Sequence, residues 1–142
     1  MIKGERLNSL SHLVGAALAL AGAVVLVVVA SRGGDAYRIV SFSIYGATLF
    51  LLYLMSTLYH GLPHGRAKRV FQVLDHQAIY LLIAGSYTPF TLVSLNGSVG
   101  WWMFGAIWGL AVLGLVLDAL PLYGARVLPM VVYLVMGWLI VL

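Results

Sequence analysis

The chain has 142 residues, of which 63% are hydrophobic and only 8% are charged, and its net charge is +4. A soluble domain usually carries about a quarter charged residues, so this composition excludes an ordinary soluble enzyme and a disordered chain. The apolar stretches run unbroken instead of alternating every second residue, which argues against a transmembrane β-barrel and favours an all-α, polytopic helix bundle. The absence of cysteine excludes disulfides, thiolate metal sites and a cysteine nucleophile.

Five apolar segments predict five transmembrane helices, because about 20 apolar residues cross the ~30 Å hydrocarbon core. The predicted helices lie near residues 9–30, 38–60, 71–94, 100–119 and 127–142, all within one transmembrane domain, 1–142. The third and fourth helices share one uncharged run, which a turn-like segment at 94–98 divides. The fifth run stops at Leu142 without a cap or a closing charge. We therefore expect a chain truncated after the fifth helix of a larger bundle.

The distribution of Lys and Arg predicts how the bundle is oriented in the membrane. If the N-terminus is cytoplasmic, the inside segments hold six basic residues, which are Lys3, Arg6, Arg66, Lys68, Arg69 and Arg126. The outside segments then hold only Arg32 and Arg38. The sequence thus predicts a multi-pass protein of the plasma (inner) membrane with a cytoplasmic N-terminus. We expect membrane lipids as partners and no nucleic acid, and we leave homo-oligomerisation open.

Two groups of polar residues lie at the predicted cytoplasmic ends of the first two helices. Glu5, Asn8 and His12 are spaced so that they share one face at the start of the first helix. Ser56 and His60 are four residues apart and share a face at the end of the second helix. Because ionisable groups are costly in lipid, both groups are candidate functional sites.

Asp75 begins the predicted third helix, and the short link before it should bring it near Ser56 and His60. A neutral imidazole binds zinc, and a carboxylate can bind the metal or orient a water at it. His60 and Asp75 alone do not complete a catalytic site, which usually has three protein ligands. Simpler roles stay open. His60 fits an interfacial hydrogen bonder, Ser56 a donor to the Leu52 carbonyl, and Asp75 a first-turn partner of the helix N-terminus.

These same residues carry a resemblance to the haemolysin III family, the bacterial branch of the progestin and adiponectin receptor superfamily. The matching segments occur in the family's order, and they are Glu5-x-x-Asn8-x-x-Ser11-His12, Ser56–His60, Leu74–His76, Ala84–Phe90 and Met136–Trp138. Together they cover essentially the whole chain.

The resemblance implies a bundle of seven helices with a zinc site near the cytoplasmic face. It implies that His60 is a zinc ligand and that Asp75 contacts zinc through water. It implies that Ser56, a catalytic candidate, either supports a zinc ligand or polarises the substrate. The family's remaining ligands form a His-x-x-x-His pair on the seventh helix. This sequence ends before that helix, so the implied zinc site is incomplete in this chain.

Three functions remain open at this point. The first is a zinc-dependent hydrolase of a lipid amide, in which Asp75 and Ser56 assist His60. The second is a pore-forming cytolysin, which the family's name suggests. The third is a receptor-like or lipid-homeostasis protein in which zinc is structural. Whether the protein is an enzyme is therefore also left open.

Overall fold

The computed structural model describes residues 4–119 and 127–141, and these ranges contain helices and no strands. The α-helices are α1 (Arg6–Arg32), α2 (Ala36–Gly61), α3 (Arg66–Pro89), α4 (Gly97–Ala119) and α5 (Val127–Trp138). Four described segments are long and apolar enough to cross a membrane. They are α1, α2, α4, and α3 extended to Leu95. The predicted all-α, polytopic fold is confirmed.

The main difference from the expected boundaries lies at the start of α3. The sequence predicts a helix near 71–94, with the basic residues before it in a link. The structure instead begins α3 at Arg66, so that Leu62–Gly65 alone connects it to α2. The basic residues are therefore helical, and one of them, Lys68, is buried. The ammonium of Lys68 donates to Glu5, just before α1, and to the Tyr59 carbonyl of α2, so the first turn of α3 contacts both preceding segments.

The end of α3 is shaped by Pro89. Proline has no N–H to donate to the carbonyl four residues earlier, so a regular α-helix is interrupted there. The chain continues as a π-helical segment, Phe90–Leu95. Thr91 supports the changed geometry by donating its hydroxyl to the carbonyl of Tyr87, and Thr88 donates in the same way to Ala84.

Helices adjacent in sequence pack against each other, and α3 also contacts α5. The apolar core lies among α3, α4 and α5, where Tyr80, Ile107 and Met136 are fully buried. Helices α1 and α2 approach closely through small residues. A Cβ added at Gly46 of α2 would lie 2.5 Å from the Cβ of Ala23 on α1. The outer surface of α1 exposes leucine and valine side chains, as expected for a helix facing lipid.

Candidate functional site

The polar side chains of interest gather at one end of the bundle, where α1 begins, α2 ends and α3 begins. We call this the basal end. His12 lies two turns into α1, and its Nδ1 is 2.5 Å from the Oγ of Ser56 on α2. Ser56 is almost completely buried, with an exposed fraction of 4%. A hydrogen bond between these two side chains therefore links α1 to α2 inside the helix pair.

His60 lies one turn below Ser56 on α2, beside the same interface. Its ring is 5.8 Å from the ring of His12 between centroids, in an edge-to-face arrangement. The Nδ1 atom of His60 is buried and has no hydrogen-bond partner among the described residues. A buried nitrogen without a partner normally costs free energy, so an additional group that bonds this atom would stabilise the site.

Lys68 on α3 is the buried charge of the basal end, with an exposed fraction of 8%. Its Nζ donates to Glu5 Oε2 at 2.5 Å and to the carbonyl oxygen of Tyr59 at 2.8 Å. A longer contact of 3.5 Å reaches the carbonyl of Leu62, and the Tyr59 ring centroid is 4.5 Å away. A lysine ammonium has three donors and no acceptor, so these contacts satisfy it. Lys68 thereby joins the ends of three helices.

The ion pair with Lys68 also determines the charge state of Glu5, which precedes the first turn of α1. The hydrogen bond from Lys68 is the main cause that lowers the pKa of the Glu5 carboxyl below its ordinary value of 4.5. Burial acts in the opposite direction, whereas the charges of Lys68, His60 and His64 lower the pKa further. Glu5 is therefore ionised at neutral pH.

The predicted group Glu5, Asn8 and His12 is divided by the structure. Glu5 contacts α3 and His12 contacts α2, but the side chain of Asn8 is exposed. The neighbouring Ser9 takes the position facing α2, where it is buried and donates to the carbonyl of Thr57 at 3.2 Å. The polar side chains at the start of α1 that contact the other helices are thus Glu5, which precedes the helix, Ser9 and His12.

Asp75 lies nine residues beyond the start of α3, which places it about 14 Å along the helix axis. It is half-buried. Within residues 4–119 and 127–141, no hydrogen bond or ion pair joins Asp75 to Ser56 or His60. The structure thus brings Ser56 and His60 together with His12, and places Asp75 deeper in the bundle.

The donor set can be tested against the zinc ion that the resemblance implies. Nowhere in the described part of the chain do three or more His, Cys, Asp or Glu side chains group closely enough to hold a metal. The buried, unpartnered Nδ1 of His60 suits a single ligand. The residues present therefore fit one part of a zinc site and not a complete one.

Sequence reasoning missed three contributors to this end of the bundle, which are Ser9, Lys68 and the partnership between His12 and Ser56. A usable signal existed for Lys68. It is spaced four and seven residues before Gln72 and Asp75, which is the spacing of one polar helix face.

The comparisons with known proteins agree with the resemblance. The family model described as "Haemolysin-III related" matches residues 1–142. The chain is 41% identical over 140 residues to "Hemolysin-3" of Bacillus cereus, covering 99% of this chain and 64% of that protein. It is 42% identical over 141 residues to "Hemolysin-3 homolog" of Bacillus subtilis (strain 168), covering 99% of this chain and 66% of that protein.

This chain belongs to the haemolysin III family. It spans slightly less than two thirds of the length of the two relatives named above. No solved structure gives a significant match. Membership in the family is consistent with a multi-pass membrane protein, since four described helices are able to span a bilayer.

The contacts of Lys68 generate a prediction about stability. Replacing Lys68 with Met retains the aliphatic stem but removes the ammonium, so we expect the thermal midpoint in detergent to fall by roughly 5 °C at neutral pH. Because pairing lowers the pKa of Glu5, the stabilisation is present above the ordinary carboxyl pKa of 4.5 and is lost as the pH falls through the lowered value. Circular dichroism melts across this pH range measure both effects.

Arg69→Met is the matched control, because Arg69 is the adjacent basic residue and is exposed. Its midpoint should remain close to that of the wild type. Equal effects of the two substitutions, or a pH-independent loss for Lys68→Met, would contradict the role assigned to the ion pair.

Proposed function

We propose that this haemolysin III family protein contributes to a zinc-dependent hydrolase site for a lipid amide at the basal end. The observation that carries the proposal is the buried Nδ1 of His60, which has no partner among the described residues. It lies in the same cluster as a buried hydroxyl, Ser56, and a second imidazole, His12. Ionisable groups placed within a membrane helix are a functional hypothesis by default.

In this proposal His60 is the zinc ligand that the described residues supply. The carboxylate of Asp75 would orient a water at the zinc, and the hydroxyl of Ser56 would contact the substrate. A bound zinc supplies a water whose pKa is lowered toward about 7. Since three protein ligands are usual for catalytic zinc, further ligands must come from outside the described residues.

The open cleft at the basal end supports a lipid as the substrate. It has a volume of about 400 Å³, and its lining includes Tyr59, His64 and Arg69. Because Glu5 is already paired with Lys68, the remaining charge on this surface is basic. A basic cleft beside a lipid-facing helix pair suits an anionic headgroup at the membrane surface.

The zinc assignment predicts that bound metal depends on His60. A full-length form that carries the further ligands, purified in detergent without chelator, should contain close to one zinc per molecule by elemental analysis. His60→Ala should reduce this to less than about a tenth, because the ligand nitrogen is removed. His64→Ala is the matched control, since His64 is an exposed histidine of the following loop, and it should retain the metal.

A wild-type chain with no more zinc than His60→Ala would overturn the metal assignment. If zinc is bound, release of fatty acid from an N-acyl lipid in mixed micelles then separates an enzyme from a structural role. Collapse of stability on chelation without any turnover would favour the receptor-like alternative with structural zinc.

We also propose that the protein resides in the plasma membrane with the basal end facing the cytoplasm, on the strength of the Lys and Arg distribution. The chain has no cysteine, so single substitutions give clean labelling sites. In intact bacterial cells, a membrane-impermeant maleimide should label Ser31→Cys at the opposite end. It should label His64→Cys only after permeabilisation. The reverse pattern would invert the proposed topology.

The names of the two relatives favour cytolysis as a second candidate function. The described core offers little room for an aqueous path, because Tyr80, Ile107 and Met136 fill the space among α3, α4 and α5. We therefore expect purified protein to release no dye from liposomes, even at a high protein-to-lipid ratio. Release that rises with protein concentration, measured by fluorescence dequenching, would establish the cytolysin instead.

A further inference from the structure

Ser56 differs from most helical hydroxyls among the described residues, because its hydrogen bond goes to a side chain of a neighbouring helix. Serine and threonine inside helices commonly donate to a carbonyl three or four residues earlier in the same helix. Several hydroxyls here do so, and they are those of Ser43, Thr48, Thr57, Thr88 and Thr91. The hydroxyl of Ser56 instead meets His12 on the neighbouring helix.

This contact indicates which atom accepts the hydrogen bond from the Ser56 hydroxyl. A buried hydroxyl must donate to an acceptor, since leaving it unpaired is unfavourable. The Nδ1 atom of His12 is the acceptor that the structure provides, at 2.5 Å. A neutral imidazole has one donor and one acceptor nitrogen. If Nδ1 accepts, the ring carries its proton on Nε2.

The ring of His12 is held in place by its surroundings. The rings of Tyr53 and His60 both lie 5.8 Å from it between centroids and are nearly perpendicular to it. One turn earlier on α1, Ser9 donates to the carbonyl of Thr57, which fixes the register of α1 against α2. The imidazole therefore presents Nδ1 to Ser56 in a defined orientation.

We propose that His12 is a positioning residue that acts through Ser56. Because His12 accepts a hydrogen bond from the Ser56 hydroxyl, this hydroxyl does not donate to the backbone of α2. The lone pairs of Ser56 Oγ can then accept a hydrogen bond from a donor group in the site. The assignment of Ser56 to a substrate rests on the proposed function, but the direction of the hydrogen bond does not.

The direction of the bond is tested by nitrogen-15 NMR of the full chain in lipid nanodiscs, with labelled histidine, in alkaline buffer where imidazoles are neutral. The chain has four histidines, so the resonances of His12 are assigned by their loss in His12→Asn. We expect an Nε2–H tautomer whose unprotonated Nδ1 shows a hydrogen-bond shift that disappears in Ser56→Ala. A protonated Nδ1, or a shift unchanged in Ser56→Ala, would overturn the proposal.

A pair of substitutions at His12 tests whether the position of the acceptor atom matters or only the polarity of the side chain. The side-chain oxygen of Asn occupies nearly the place of Nδ1, whereas the longer Gln side chain brings its amide nearer to the place of Nε2. His12→Asn should therefore keep the Ser56 hydrogen bond, and His12→Gln should lose it. If the protein hydrolyses an N-acyl lipid, kcat should fall at least tenfold in His12→Gln and less than about threefold in His12→Asn, with similar KM.

Equal kcat losses for the two variants would reject the positioning role while leaving the hydrolase intact. Absence of hydrolysis in the wild type would reject the proposed function, but the NMR result would still decide the direction of the bond. The two failures are therefore distinguishable.

Discussion

The arrangement of the basal end depends on the ion pair and hydrogen bonds of the buried Lys68 ammonium. It joins Glu5 at the start of α1, the last turn of α2 at Tyr59, and its own helix, α3. A buried lysine is tolerated only when its charge is paired and its donors are satisfied, and both conditions are met here. The ion pair fixes three helix ends relative to each other. His60 follows Tyr59 directly, so its position is fixed by the same contact.

The close packing of α1 against α2 makes the polar contacts between these helices possible. Gly46 faces Ala23, and the ring of Tyr53 lies against Gly15, so the two helix backbones approach closely along their length. In a membrane, small residues at a helix interface permit this approach, and polar side chains can then bond across it. Ser9 and His12 both use that proximity at the basal end. Helices α3, α4 and α5 bury a larger apolar core, which suits a structural role better than a catalytic one.

The fold class and the approximate spans followed from the sequence because hydropathy and length nearly determine them in a membrane protein. The sequence did not determine which individual residues face the neighbouring helices. On α1, Glu5 and His12 fit a helical face with either Asn8 or Ser9 between them, since steps of three and four residues are equally helical. Only the position of α2 decides that Ser9 is buried and Asn8 exposed. Lys68 was misjudged for a similar reason, because a basic residue near a helix end is usually an orientation signal.

The hydrogen-bonding balance of the basal end gives the strongest argument for function. Lys68 and Ser56 are buried, and each has its partner. The Nδ1 of His60 is the exception, because it is buried without one among the described residues. A protein that satisfies its neighbouring polar groups so fully would gain stability by satisfying this atom as well, or by replacing the imidazole with an apolar side chain. In the function we propose, a group from outside the described chain bonds this nitrogen. We propose a metal ion as that group, since a neutral imidazole is one of its preferred ligands.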